Sequence, residues 1–296
     1  MYSLDFFFAL LGLLLRVAFF TLVERKLIGL IHFRKGPNKV LASGLTQPIG
    51  DAIKLLTKET YKLFTSKMVM YWLGPLVGLL LAVSLWGFYD FLFSGLSSTQ
   101  KILPIFALLG LIRYSILLIR WGSNRSYSIL GGHRGVAQIL SYEVCLFVFI
   151  LFWGFILDSL RYAKVMWIQH NFWGCFFSFP FFFLWLLLCL AESNRTPFDR
   201  VEGEREIVSG FNIEYGGGLF ALIFITEYSM IIFLSFVTSI VFLGGTFLLI
   251  KVFYLCFFYI WCRCRFPRVR YDLLIAIAWK VALPYSIFML SLGIVL

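Results

Sequence analysis

Eight apolar runs, each close to the length of a bilayer crossing, dictate what this chain can become. They occupy residues 4–23, 69–91, 102–119, 136–157, 172–190, 217–243, 246–262 and 273–295. A helix needs about 20 apolar residues to cross the hydrocarbon core. The fold class that follows is all-α: a polytopic membrane protein of about eight transmembrane helices, forming a single helical domain over residues 1–296. Composition agrees, since 61% of the residues are hydrophobic and 14% charged, against about 45–50% and about 25% in soluble domains.

The polar stretch between the first two runs, residues 24–68, has its own periodicity. Ile49, Ala52, Ile53, Leu56, Leu63 and Phe64 share one helical face, and Asp51, Lys54, Lys58 and Lys62 share the other. That pattern predicts an amphipathic helix lying in the membrane interface. The net charge is +11. In a soluble chain it would suggest nucleic acid, but aromatic-interleaved basic patches are absent, so nucleic acid is not expected as a partner. The charge is distributed by membrane side instead. Nineteen of the 26 Lys and Arg fall in alternate connections: nine in residues 24–68, then Arg120, Arg125 and Arg134, then Arg195, Arg200 and Arg205, then Arg263, Arg265, Arg268 and Arg270. The even connections hold Lys101, Arg161 and Lys164. Such asymmetry places the odd connections on the positive-inside face and both termini opposite. Some of these cations anchor phospholipid headgroups.

Charges within the bilayer cost about 2.5–3.5 kcal/mol each on insertion scales, which makes each a functional hypothesis. Glu143 lies in the fourth run and Glu227 in the sixth, and Glu192 and Glu214 lie at run ends. The fifth connection concentrates Glu192, Asp199, Glu202, Glu204, Glu206 and Glu214, six of the fifteen acids, on a basic face. Carboxylates gathered in a low-dielectric region raise one another's proton affinity and titrate as a coupled set, which is the chemistry of a proton path. Lys251 and Lys280 also lie within runs, deeper than snorkelling readily explains.

Other chemistries are missing. Gly216, Gly217 and Gly218 do not form a dinucleotide fingerprint after a strand, and no phosphate-binding Walker sequence occurs. His32, His133 and His170 are scattered, which argues against bis-histidine haem ligation. The six cysteines include no C-x-x-C; Cys262 and Cys264 stand too close for an ordinary zinc pair, and four others lie in apolar runs. No catalytic residue, metal site or electron carrier is therefore expected in this chain. The first run passes into charged sequence without an A-x-A-type site, which fits synthesis inside an organelle or a bacterial source. Thirty-five phenylalanines point to a T-rich coding genome.

Five long segments resemble one family. They are ERKLIGLIHFRKGPNKV (24–40), QPIGDAIKLLTKE (47–59), GGHRGVAQILSYEV (131–144), AESNRTPFDRVEGEREIVSGFNIEY (191–215) and FPRVRYDLL (266–274). The family is that of chain 1 of NADH–ubiquinone oxidoreductase, the respiratory complex I subunit also found in related hydrogenases. The resemblance implies a mitochondrial inner-membrane subunit whose odd connections face the matrix and dock the peripheral arm. It implies a ubiquinone-type substrate entering between the first run, the sixth run and the interfacial helix. NADH, FMN and iron–sulfur clusters would belong to partner subunits, and the partners implied are the quinone-site subunits of the peripheral arm and the neighbouring membrane-arm subunits. By motif match, Arg25, Arg34, Asp51, Phe224, Tyr228 and Arg268 fall near the quinone channel. Glu143, Glu192, Glu202, Glu204, Glu206, Glu214 and Glu227 fall on an acidic path linking quinone reduction to proton translocation. Phe224 and Tyr228 rest on the resemblance alone.

Three other readings compete. A stand-alone secondary ion transporter would carry buried acids, but it predicts inverted repeats, and the halves show no internal similarity. A structural anchor explains the arginine loops but not Glu143 and Glu227. A subunit of a membrane-bound hydrogenase keeps the family and changes the reaction. Co-purification followed by mass spectrometry separates them.

Overall fold

The computed structural model describes residues 2–40, 42–59, 66–93, 102–156, 162–169, 173–177, 179–198 and 215–295. Helix α1 spans Tyr2–Ile31 and α2 spans Gln47–Thr57, with a 3-10 turn at Ala42–Gly44 between them. Then come α3 (Met68–Phe93), α4 (Ile102–Ser123), α5 (Ser126–Ile156), α6 (Tyr162–Ile168), α7 (Gly174–Phe177) and α8 (Phe179–Glu192). Helix α9 (Gly217–Thr238) continues into a π-helical turn, Ser239–Leu243, and α10 covers Leu248–Arg265. The last crossing is α11 (Tyr271–Ile277) and α12 (Leu283–Val295), joined by a π-helical turn at Ala278–Ala282. No strand occurs among the described residues.

Every apolar run is helical over most of its described length, because a backbone in hydrocarbon must satisfy its amides within its own segment. Helices α3, α4, α5, α9 with its extension, and α11–α12 are each long and apolar enough to cross a membrane; α8 is apolar but shorter. The fifth run, expected as one span over 172–190, is helical in two pieces, α7 and α8. The interfacial helix forms as α2, begun by Pro48 in its first turn, where a missing N–H is harmless. Its apolar Ile49, Ile53 and Leu56 are exposed, as a helix with one face against lipid requires. Lys62, Leu63 and Phe64 lie outside the described residues.

Two boundaries depart from expectation. Helix α1 runs to Ile31, carrying Glu24, Arg25 and Lys26 on its last turns. Helix α5 starts at Ser126, so α4 and α5 are joined by Asn124 and Arg125 alone, with Asn124 left-handed at φ 50°. Arg134 is thus helical rather than in a loop, and Arg120 lies inside α4 with 1% of its surface exposed. One Arg120 guanidinium nitrogen donates to the carbonyls of Gly131 (2.9 Å) and Gly132 on α5. Gly132 leaves the room, since a Cβ there would lie 2.7 Å from Arg120 Cδ.

Helices α3 and α4 approach backbone to backbone. A Cβ on Gly74 would lie 2.8 Å from Ile119 N, and one on Gly122 would lie 2.8 Å from Tyr71 Cα. Small residues serve this way in membranes because van der Waals contact, not hydrophobicity, drives helix association. At one end of α5 and α8 an aromatic core fills the bundle: Phe149 stacks on Phe181 at 4.1 Å, and Trp153 and Trp185 each meet Phe242 at 5.5 Å. Buried hydroxyls return to their own helices, as Ser115 to Ile112 O and Ser235 to Ile232 O. Lys251 finds a local solution too. Its ammonium donates to Leu243 O (2.5 Å) and Thr246 Oγ1 (3.1 Å) beyond the π turn, and lies 4.8 Å from the Trp173 ring centre.

Candidate functional site

The polar side chains collect at the end of the bundle built from the C-terminal part of α1, from α2, and from the segment that follows α8. Arg25 pairs with Asp51 of α2 at 2.5 Å, and Gln47 Nε2 holds the other Asp51 oxygen at 3.1 Å. Residues after α1 fold back along it: Arg34 N donates to Gly29 O at 2.8 Å, and a Cβ on Gly36 would sit 3.0 Å from Lys26 Cα. The fold-back leaves a concavity lined by Arg25, Ile28, Gly29, Arg34, Lys35 and Pro37. Arg25 thus touches Asp51 and shares the concavity with Arg34. Arg268 is exposed in the segment between α10 and α11, which Val269 N ties to Pro197 O at 2.9 Å.

Deeper, a chain of polar contacts crosses four elements. Glu24, 6% exposed, forms an ion pair with Arg263 of α10 and accepts a 2.7 Å hydrogen bond from the Tyr228 hydroxyl of α9. Phe20 packs edge-on against Tyr228 at 5.7 Å. The Arg195 guanidinium lies 4.6 Å from the Tyr228 ring centre and 6.0 Å from that of Phe224, and pairs with Glu227 at 3.3 Å. Cation–π contact and ion pairing together fix Arg195 against α9.

Beyond Glu227 a cavity of about 50 Å³ opens between α4, α8 and α9, with Arg113, Glu192, Ser193, Asn194, Thr226 and Glu227 on its walls. Apolar side chains, among them Leu109, Ile112, Ile139 and Met230, complete the walls, and a volume of this size admits water beside the polar groups. Glu143 on α5 forms an ion pair with Arg113. Glu192 Oε2 is buried with no hydrogen-bond partner among the described residues.

The sequence suggested acids of like sign acting on one another. The structure instead gives Glu24, Glu143 and Glu227 an arginine each, the expected arrangement where charge leaves water. Glu202, Glu204, Glu206 and Glu214, with Asp199, lie outside the described residues. Four participants were missed as site residues: Glu24, Arg113, Arg195 and Arg263. Arg113 had a signal, since it stands inside a span; the others looked like ordinary interfacial charge. Among the described residues no cluster of three or more His, Cys, Asp or Glu could hold a metal, and the six cysteines are free.

Comparison with known proteins gives one consistent result. A family model described as NADH dehydrogenase matches residues 4–294. The chain is 43% identical over 296 residues to NADH-ubiquinone oxidoreductase chain 1 of Aedes aegypti, covering 96% of this chain and 94% of that one. It is 44% identical over 276 residues to the Anopheles gambiae protein of the same description, covering 92% and 88%. The Locusta migratoria protein is 42% identical over 291 residues, covering 97% and 93%.

Proposed function

Because this chain belongs to the NADH dehydrogenase family, as a core membrane subunit of mitochondrial NADH–ubiquinone oxidoreductase, we propose that its polar end receives the quinone and passes the consequence to an acidic proton path. Quinone reduction consumes two electrons and two protons. The electrons come from carriers in partner subunits, and this chain's residues manage charge and protons around the head group. Arg25, Arg34 and Arg268 present cations, Asp51 orients Arg25, and Phe224 and Tyr228 supply the aromatic wall.

The observation that carries this reading is the position of Arg195. One guanidinium touches the Tyr228 ring and Glu227 together, while the Tyr228 hydroxyl is bound to Glu24. A change of charge beside Tyr228 must therefore be felt at Glu227, and through the cavity at Glu192, Arg113 and Glu143. Glu202, Glu204, Glu206 and Glu214 are proposed to extend the path.

Tyr228→Phe tests the link at its narrowest point. It deletes the hydrogen bond to Glu24 and keeps the ring under Arg195. In assembled complex, quinone reductase turnover should fall roughly tenfold, the equivalent of one hydrogen bond to a charged group. NADH oxidation by an artificial acceptor that bypasses quinone should be unchanged. Parental quinone turnover in that variant would remove Tyr228 from the path.

The orientation follows from the loop charge. With the odd connections on the matrix side, a cysteine introduced at Lys39 should be labelled from the matrix in oriented mitochondrial membranes. Preferential labelling from the intermembrane space would reverse the topology.

A further inference from the structure

Near the middle of α4, Arg113 occupies a place where a charge is costly, and the structure is shaped to keep it there. Its Nε donates to Gly110 O at 3.0 Å, and its terminal nitrogen is ion-paired with Glu143 on α5. Gly110 supplies the seat. A Cβ at that position would lie 2.6 Å from Glu143 Oε1 and 2.9 Å from the Arg113 guanidinium. Both members of the pair thus occupy space that any other residue would fill. Arg113 also faces the cavity that holds Glu192 and Glu227. Of the charges around that cavity, Glu227 is held by Arg195 and Arg120 by the carbonyls of α5. Glu192 Oε2 has no hydrogen-bond partner among the described residues.

One cation is therefore paired with a carboxylate of α5 and shares a cavity with a second carboxylate at the end of α8. We propose that Arg113, seated on Gly110, is the resident counter-charge of the acidic cavity, a positioning residue that governs whether Glu143 or Glu192 carries the negative charge. When a proton arrives on the Glu143 carboxylate, the ion pair loses its attraction and the guanidinium turns to Glu192. When the proton leaves, the pair re-forms. Arg113 stays protonated throughout, as an arginine does. The proposal rests on reading the cavity as part of a proton-linked path.

The test uses the assembled complex in difference infrared spectra against the parent. Arg113→Gln is expected to bring out a carboxylic-acid C=O band at neutral pH. That band should be lost in Arg113→Gln/Glu143→Gln and suppressed in Arg113→Lys, which returns the charge. Gly110→Ala keeps both charges but drives a methyl between them, so it should give the same band; it carries the test alone if Arg113→Gln does not assemble. No new band in either variant overturns the proposal. A band that persists without Glu143 overturns it as well. The resting spectrum is independent of turnover. A Glu143 band with an unchanged proton-to-electron ratio keeps the counter-charge assignment and removes the path reading.

Discussion

Glu227→Gln in the assembled complex is expected to lower the number of protons moved per electron and to slow quinone reduction by about two orders of magnitude, the typical contribution of a positioned proton-transfer group. Glutamine keeps the size and an acceptor oxygen, but it cannot titrate. Arg195 loses the charge that it meets at 3.3 Å, so the chain from Tyr228 toward the cavity is broken at its centre. Glu143→Gln acts at the far side, where it releases Arg113. Electron flow from NADH to an acceptor upstream of quinone should survive in both variants. Assembly is measured first, because removing one partner of a fully buried pair destabilises by about 3–5 kcal/mol, and the partial exposure of these pairs places them below that range. Parental stoichiometry and turnover in both assembled variants would leave the two glutamates as structural residues.

The second large effect concerns folding. Gly74→Val should nearly abolish incorporation of the chain into the complex, read as the amount of assembled enzyme on a native gel. The new Cβ would strike the Ile119 backbone nitrogen at 2.8 Å, and a backbone atom cannot swing aside. Overpacking of this kind costs about 1–3 kcal/mol or more. Further losses follow, because Ile119 O accepts the Tyr215 hydroxyl at 2.7 Å and Tyr215 stacks on Tyr71 at 4.4 Å. Prying α3 from α4 therefore loosens the start of α9, the helix that carries Phe224 and Glu227. Gly12→Ala is the control, since a Cβ at Gly12 meets nothing within 4 Å. Equal assembly of the two variants would show that the α3–α4 seam does not limit folding.

The helices were legible because hydropathy acts over some twenty residues at a time, and single exceptions do not disturb it. Their ends were not. Counting residues treats a charge as leaving the membrane, yet Arg120 stays inside α4 because Gly132 clears space and α5 offers carbonyls. Neither fact is local. Within the spans, the candidate site was legible mainly through its acids. Glu143, Glu192 and Glu227 announced themselves by the cost of their position, whereas their partners are set by packing. Glu24 and Arg263 are 239 residues apart in sequence, and Arg195 and Glu227 are 32 apart. Phe224 and Tyr228 rested on the resemblance alone, since in an apolar run nothing local separates them from other aromatic residues; the Arg195 guanidinium lies over both rings. What the sequence offered as a row of acids is, in the described residues, largely a set of Arg–Glu pairs.

The two-residue link between α4 and α5 bears on how the chain is made. Released alone into lipid, α4 would bring two guanidinium groups with it, at about 2.5–3.5 kcal/mol each. Both are answered from α5: Arg113 by Glu143, and Arg120 by the carbonyls of Gly131 and Gly132. With only Asn124 and Arg125 between them, the helices suit release from the insertion machinery as one hairpin, both guanidinium groups of α4 partnered before hydrocarbon reaches them. On this view the arginines of α4 become tolerable only when the ribosome has delivered α5.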